Sequence, residues 1–352
     1  MSTVTFEKRL EPTLAGGMTA VLAAIVLSLA ASAVMLRFAG ASPVSALAAI
    51  YEGAFGNRAA IVTTLLRASP LILTGVAVTV AFRAKIWNIG AEGQLYAGAM
   101  VGYGAYLAAS GLPTFLLLPL VLLAGFAGGA GLGALAGYLR ARFAVNEVLS
   151  TVMLNYVVRF VLSYLLVNNW RDATSFYQQS ARIAPPAVLP SLVPGTKLHL
   201  GFLIALVAAV AIHVLLSRTA FGYEIKAVGQ NPVASRFKGI DVGRTAIIVM
   251  LISGGLAGLA GVAEVFGTHL RLRPDISVGY GFAGIVVAML AGLRPMVVVP
   301  VAILFAGLST GGANMQIETG VPSALTLVVQ AIVLIFFLIT TALARYRIKI
   351  GG

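Results

Sequence analysis

SRTAFGYEIKAVGQNPVASRFKGIDVGRT, residues 217–245, is the longest charged and glycine-punctuated interruption in an otherwise apolar chain. Arg218, Lys226, Arg236, Lys238 and Arg244 stand there with Glu224 and Asp241, so the stretch belongs in water. Phe221, Ile225, Val228, Val233, Phe237 and Ile240 lie among those charges, the pattern of short amphipathic helices that dock into a partner's groove. A plain solvated connection has no use for those apolar positions. The break Gly229-Gln230-Asn231-Pro232 predicts a turn between two short helices, with Asn231 capping the second and Pro232 as its first residue.

Outward from this stretch the sequence turns apolar in both directions. With 352 residues, 59% hydrophobic, 10% charged and a mean hydropathy of +0.98, the chain reads as an all-α polytopic membrane protein, one membrane domain over residues 1–352. A net charge of +13 would point to nucleic acid in a soluble protein. Here Lys and Arg sit in short loops, where they hold those loops on the cytoplasmic side, and no nucleic-acid partner is expected. Cysteine is absent, which leaves neither a disulfide framework nor a thiolate site. The N-terminal MSTVTFEKRLEPT precedes an apolar run too long for a signal-peptide core, and so reads as leading into a retained first helix.

Runs of spanning character cover residues 14–38, 59–82, 95–109, 115–139, 149–167, 201–216, 245–266, 297–313 and 323–344, with a shorter one at 281–292. Ten helices with both termini cytoplasmic place fifteen basic residues on the cytoplasmic side against seven outside, with Arg67 and Arg159 within spans. The same count puts residues 168–198, with Pro185, Pro186, Pro190 and Pro194, outside, as a lid on the bundle or a surface for an extracellular partner.

WNIGAEGQ at 87–94 and SVGYGF at 277–282 each put polar residues and closely spaced glycines before a short apolar helix. Short, glycine-interrupted segments in corresponding positions of two halves point to an inverted repeat and a mid-membrane path. Helices two to five would then pair with seven to ten. Ionisable and amide side chains within spans are expensive unless they face a cavity or a partner, which selects Arg67, Asn88, Glu92, Gln94, Asn146, Glu147, Asn155, Arg159, Glu264, Asn314 and Gln316. Asn146 and Glu147 read as a helix cap and a dipole-compensating carboxylate. Glu264, at the end of the glycine-rich LISGGLAGLAGVAEVFG, either meets a substrate's hydroxyls or amines or closes an ion pair with Arg271 or Arg273. His199, His213 and His269 lack metal-ligand spacing, so no metal is expected. No nucleophile grouping and no GxxxxGK[ST] loop occur, so no cofactor is expected and any ATP-driven work belongs to another polypeptide.

FRAKIWNIGAEGQLYAGAM, NEVLSTVMLNYVV, EIKAVGQNPVASRFKGIDV and SVGYGFAGIVVAMLAGLRP occur in that order between about residues 68 and 337. Together they resemble the permease subunits of bacterial ABC importers for nucleosides and simple sugars, relatives of the ribose and branched-chain amino acid permeases. The resemblance implies a fold like that of the vitamin B12 importer's membrane subunit, a type II ABC importer. It implies an inner-membrane location and three partners: an ABC ATPase subunit, a second permease subunit, identical or paralogous, and an extracytoplasmic binding protein or lipoprotein. Gly229, Asn231, Pro232, Arg236, Phe237, Gly239 and Ile240 would form the coupling element seated in the ATPase.

Asn88, Glu92, Gln94, Asn155, Glu264 and Tyr280 are the candidate pathway residues, among Trp87, Tyr96 and Phe282. Amides and single carboxylates suit ribose hydroxyls and base edges, while the aromatic rings suit a base. The substrate expected from these groups is a neutral polyhydroxylated solute, and the resemblance implies nucleosides or related sugars, nucleosides first. The competing reading is an ion-coupled secondary transporter using Glu92, Glu147 and Glu264.

Overall fold

The computed structural model describes residues 3–8, 14–344 and 346–351. Its helices are α1 (Leu14–Phe38), α2 (Pro43–Phe55), α3 (Arg58–Arg83), α4 (Ala91–Ala108), α5 (Thr114–Phe143) and α6 (Glu147–Val167). There follow α7 (Leu200–Arg218), α8 (Ala220–Gln230), α9 (Pro232–Phe237), α10 (Val242–Ala263), α11 (Tyr280–Leu290), α12 (Pro295–Thr319) and α13 (Leu325–Ala344). A short strand β1 (Thr3–Lys8) pairs antiparallel with β2 (Tyr346–Gly351), Thr3 opposite Gly351 and Lys8 opposite Tyr346. The chain divides into two compact units, Met1–Ile61 with Gly307–Gly352, and Val62–Ala306.

In the larger unit, helices that are apolar all round take the centre, as their lack of a polar face requires. Residues 68–82 of α3 are all buried, and most of α10 is buried too. α10 runs against α5 at backbone distance. A Cβ at Gly258 would strike the Gly125 carbonyl, and one at Gly129 would strike that of Gly254. Small residues permit such an approach, and dispersion between the two backbones then holds the pair. α10 continues into a turn of π-helix, Glu264–His269.

In the smaller unit α13 packs along α1, and β1 pairs with β2. Leu36, Ala46, Ile50, Met315 and Val321 form its core. α1 and α2 meet at 109° across the break before Pro43.

All ten apolar runs expected from sequence are helical. Among the described residues, seven helices are long and apolar enough to cross a membrane, eight if the bent α1–α2 pair counts as one span, so the expected count of ten is not reached by length and hydropathy. α4 opens with the polar AEGQ, and α11 has 11 residues. α2 was not anticipated. Its 13 residues fall short of a span, and Pro43, which starts it, reads equally as the end of a run.

Candidate functional site

The two glycine-punctuated segments read from the sequence meet inside the larger unit. α4 starts after Gly90, and α11 starts after Gly279, which takes φ +91° to turn the chain into the helix. The Gly281 amide, in the first turn of α11, donates to the Glu92 carboxylate, in the first turn of α4, at 2.7 Å. Glu92 is 4% exposed and Gly281 is buried. A helix N-terminus presents free N–H groups and a positive dipole end, which is where a buried carboxylate is best held. A Cβ on Gly281 would strike the Glu92 backbone, so the approach demands glycine. The Ser277 hydroxyl accepts from the Gly279 and Tyr280 amides at 3.1 and 3.0 Å and caps the same turn. The Thr74 hydroxyl, on α3, donates to the Tyr280 carbonyl at 3.0 Å.

The amides expected to line a path are occupied by the protein itself. Asn88 is fully buried and uses its whole hydrogen-bonding capacity. Its Nδ2 donates to Gln94 Oε1 and to the Ser253 hydroxyl, both at 2.9 Å. Its Oδ1 accepts from Gly90 N at 3.0 Å and from Gln94 Nε2 at 3.1 Å. Ser253 passes the chain on to the Ala77 carbonyl at 2.7 Å, which ties the segment to both central helices, α3 and α10. Asn155, on α6, accepts from Gly93 N at 2.8 Å and donates to the Ile89 carbonyl at 3.0 Å. These three amides fasten the 88–94 turn in place.

α6 carries a group that the candidate set omitted. Asn146 caps it by accepting from the Val148 and Leu149 amides, as expected, and Glu147 stands in the first turn, as expected of a dipole-compensating carboxylate, where it also pairs with Arg140. Further along, Met153, Tyr156, Phe160 and Tyr164 are exposed, and so is Arg159. The Arg159 guanidinium lies 5.9 Å from the centre of the Tyr96 ring. The Tyr96 hydroxyl donates to the Pro274 carbonyl at 2.9 Å. A guanidinium at this depth on an outward face is costly against hydrocarbon, so the face calls for water or protein rather than lipid.

Glu264 lies at the π-turn, 2% exposed. Its partners are His269 Nε2 at 3.4 Å and the Thr268 hydroxyl at 3.4 Å, and His199 Nε2 stands 3.2 Å from that hydroxyl. Neither arginine proposed as its partner reaches it. Arg271 pairs with Asp172 at 2.7 Å, and Arg273 with Asp275 at 2.8 Å, because the chain reverses at Leu270, φ +55°, and points both away. π-turns concentrate at functional sites, since one extra residue per turn re-aims the side chains. Residues 168–198 are stitched to this turn: Ser180 N donates to the Leu272 carbonyl, Ile183 N to Leu270 and Leu189 N to Phe266, each at 2.9 Å.

At the other end, α8 and α9 meet at the expected turn. The Asn231 side chain accepts from the Val233 and Ala234 amides at 3.0 Å, and Pro232 opens α9. The six apolar positions divide. Ile225 and Val228 are buried in the chain's own bundle and Phe221 packs against it, whereas Val233 is 63% and Phe237 90% exposed. Gly229 sits against the Arg83 carbonyl, where a Cβ would collide. Arg236 and Gly239 are exposed, Gly239 with φ +81°, and Ile240 is half-buried. Lys85, Arg140 and Arg236 reach one cavity, so three basic loops assigned to one face do share it.

The chain is a multi-pass helical membrane protein with glycine-packed helices inside and one short helix, α9, with exposed apolar side chains at its basic end. A family model described as branched-chain amino acid transport system / permease component matches residues 60–338, and the chain belongs to that family. It is similar to the guanosine ABC transporter permease NupP of Bacillus subtilis, 39% identical over 90% of this chain and 91% of that one. The glucose ABC transporter permease TsgB13 of Haloferax volcanii is 35% identical over 93% and 88%. The nucleoside ABC transporter permease NupB of Lactococcus lactis is 34% identical over 90% and 89%. Among solved structures, PsaBC from Streptococcus pneumoniae aligns at 14% identity and a TM-score of 0.45, covering 84% of this chain and 95% of that one, a likeness too low to carry an argument. The chain is thus a membrane-embedded ABC transporter permease subunit, and nothing in these relatives supports an ion-coupled carrier.

Proposed function

We propose that the chain lines the path of a nucleoside through an ATP-driven importer in a bacterial cytoplasmic membrane, with both termini on the cytoplasmic side. The observation that carries the reading is the exposed α6 face of Tyr156, Arg159 and Phe160, where the Arg159 guanidinium lies 5.9 Å from the centre of the buried Tyr96 ring. Aromatic rings serve a base and one guanidinium serves hydroxyls or base edges, whereas an anionic nucleotide would call for a cation cluster. Two relatives are named for guanosine or nucleoside transport and one for glucose, which supports the same solute class. Glu92, Glu264 and Tyr280 remain proposed pathway groups, and Asn88, Gln94 and Asn155 act by holding the turn that presents Glu92.

In this reading Val233, Phe237 and Ile240, with Arg236 and Gly239, seat α9 in a separate ATPase subunit. Asn231 and Pro232 start that helix, and Gly229 keys α8 onto α3. A second permease subunit completes the path opposite α6, an extracytoplasmic binding protein delivers the solute at residues 168–198, and the two halves are related by an inverted repeat. The test is uptake of labelled guanosine, adenosine, uridine, ribose and leucine by cells carrying the complete transport system. Uptake of nucleosides, lowered at least about tenfold by Arg159→Ala, is expected; transport of leucine or ribose with every nucleoside excluded overturns the substrate.

A further inference from the structure

At the basic end of the larger unit, a cavity of about 370 Å³ is walled by Lys85, Arg140 and Arg236, with Gly229 and Pro232 beside them. That volume falls within the roughly 300–1,000 Å³ of small-ligand sites. An open groove of about 350 Å³ adjoins it, sharing Ala141 and Gly243. Tyr138, Ile247 and Ile248 line the groove, flanked by Arg142 and Arg244. Glu147, close by, is paired with Arg140, and Asp241, which itself lines the groove, caps α10 by accepting from Arg244 N. Lys85, Arg142, Arg236 and Arg244 have no carboxylate ion pair among the described residues.

We propose that cavity and groove together bind one anionic phospholipid, its phosphate among the cations and an acyl chain along Tyr138, Ile247 and Ile248. The groove follows the last turns of α5 and the first turns of α10, so it leads from the water boundary into hydrocarbon depth. Uncompensated Lys and Arg at that boundary attract anionic lipid, and basic pockets between spanning helices hold its headgroups. A free phosphate shares the headgroup chemistry and has no use for the apolar groove. Because Pro232 and Arg236 belong to α9, the lipid braces α9 against the end of α5 and residues 84–86.

The test is native mass spectrometry of the full-length protein in neutral detergent with phosphatidylglycerol, with phosphatidylcholine of the same acyl chains, or with inorganic phosphate. Phosphatidylglycerol should be retained more than about tenfold better than phosphatidylcholine, and each of Lys85→Gln, Arg142→Gln and Arg244→Gln should lower that preference about fivefold. Arg182→Gln, on the 168–198 loop, should keep it. Equal retention of the two lipids by the unaltered protein, which needs no variant to fold, overturns the proposal. So does a preference that survives all three charge removals. Phosphate that displaces phosphatidylglycerol and binds undiminished in Ile248→Ala assigns the cavity to a soluble anion and overturns the lipid.

Discussion

The junction of α4 with α11 and the pair α8–α9 are built from the same materials, short helices, glycines and isolated charges, and they end in opposite states. At the junction the buried polar side chains are matched within the chain. Asn88 spends all its donors and acceptors on Gln94, Ser253 and Gly90, and Glu92 is held by the Gly281 amide. At α9 the chain leaves Phe237 and Val233 in the open. A buried polar group left unmatched costs about 1–3 kcal/mol, whereas an exposed apolar one costs little until a partner rewards its burial. The first region is finished by folding, whereas the second is the one proposed to be finished by assembly, so substitutions should separate them.

The largest effect belongs to the junction. Gly281→Val puts a branched side chain into the Glu92 backbone, and overpacking of about 1–3 kcal/mol or more should abolish both membrane accumulation and uptake. Immunoblotting of membranes with an uptake assay checks it; ordinary accumulation would show that the junction yields. Next stands the double variant Phe237→Asp, Ile240→Asp, which should abolish uptake while the protein still accumulates in the membrane. Normal transport by this variant at ordinary expression removes α9 from coupling.

Asn88→Ala should be intermediate. It strands Gln94 and the Gly90 amide in a dry interior, at about 1–3 kcal/mol, and lowers the melting temperature in detergent without the complete loss expected of Gly281→Val. A melting temperature within error of the parent would return Asn88 to the open path. The smallest effect concerns the loop latched to the π-turn. The Thr174 hydroxyl, and then Arg271, hold the Asp172 carboxyl down to about 2. Its contribution is present above the unfolded value of about 3.9 and is lost as pH falls toward 2. Asp172→Asn should therefore narrow its stability gap from the parent between about pH 4 and 2. A gap unchanged across that window would show that Asp172 does no work in the latch.

Much of the site was legible because it depends on local chemistry. Asn231 as cap with Pro232 behind it, Asn146 before Glu147, and the two glycine-rich turns are read from neighbours a few residues apart, and each stands where expected. What local reading leaves open involves distance. The sequence shows Asn88, Gln94 and Asn155 as polar groups at membrane depth, and nothing in it says that Ser253 and the Ile89 carbonyl will absorb their hydrogen bonds. Glu264 was weighed against Arg271 and Arg273, while His199 and Asp172, in another segment, decided the arrangement.

The sequence by itself determined that this is a helical membrane protein with two short helices meeting at Asn231-Pro232 and with paired glycine breaks, because hydropathy, helix caps and turn residues act over one or two turns. Only the tertiary structure decided which apolar positions of α8 and α9 stay exposed, that the two glycine segments touch through Glu92 and Gly281, and that Arg159 faces outward. Those outcomes depend on which backbones approach within contact, and that is set by glycine positions on helices far apart in the chain, Gly125 and Gly129 against Gly254 and Gly258. No local pattern encodes such a meeting, since the absence of a side chain reads the same wherever its partner lies.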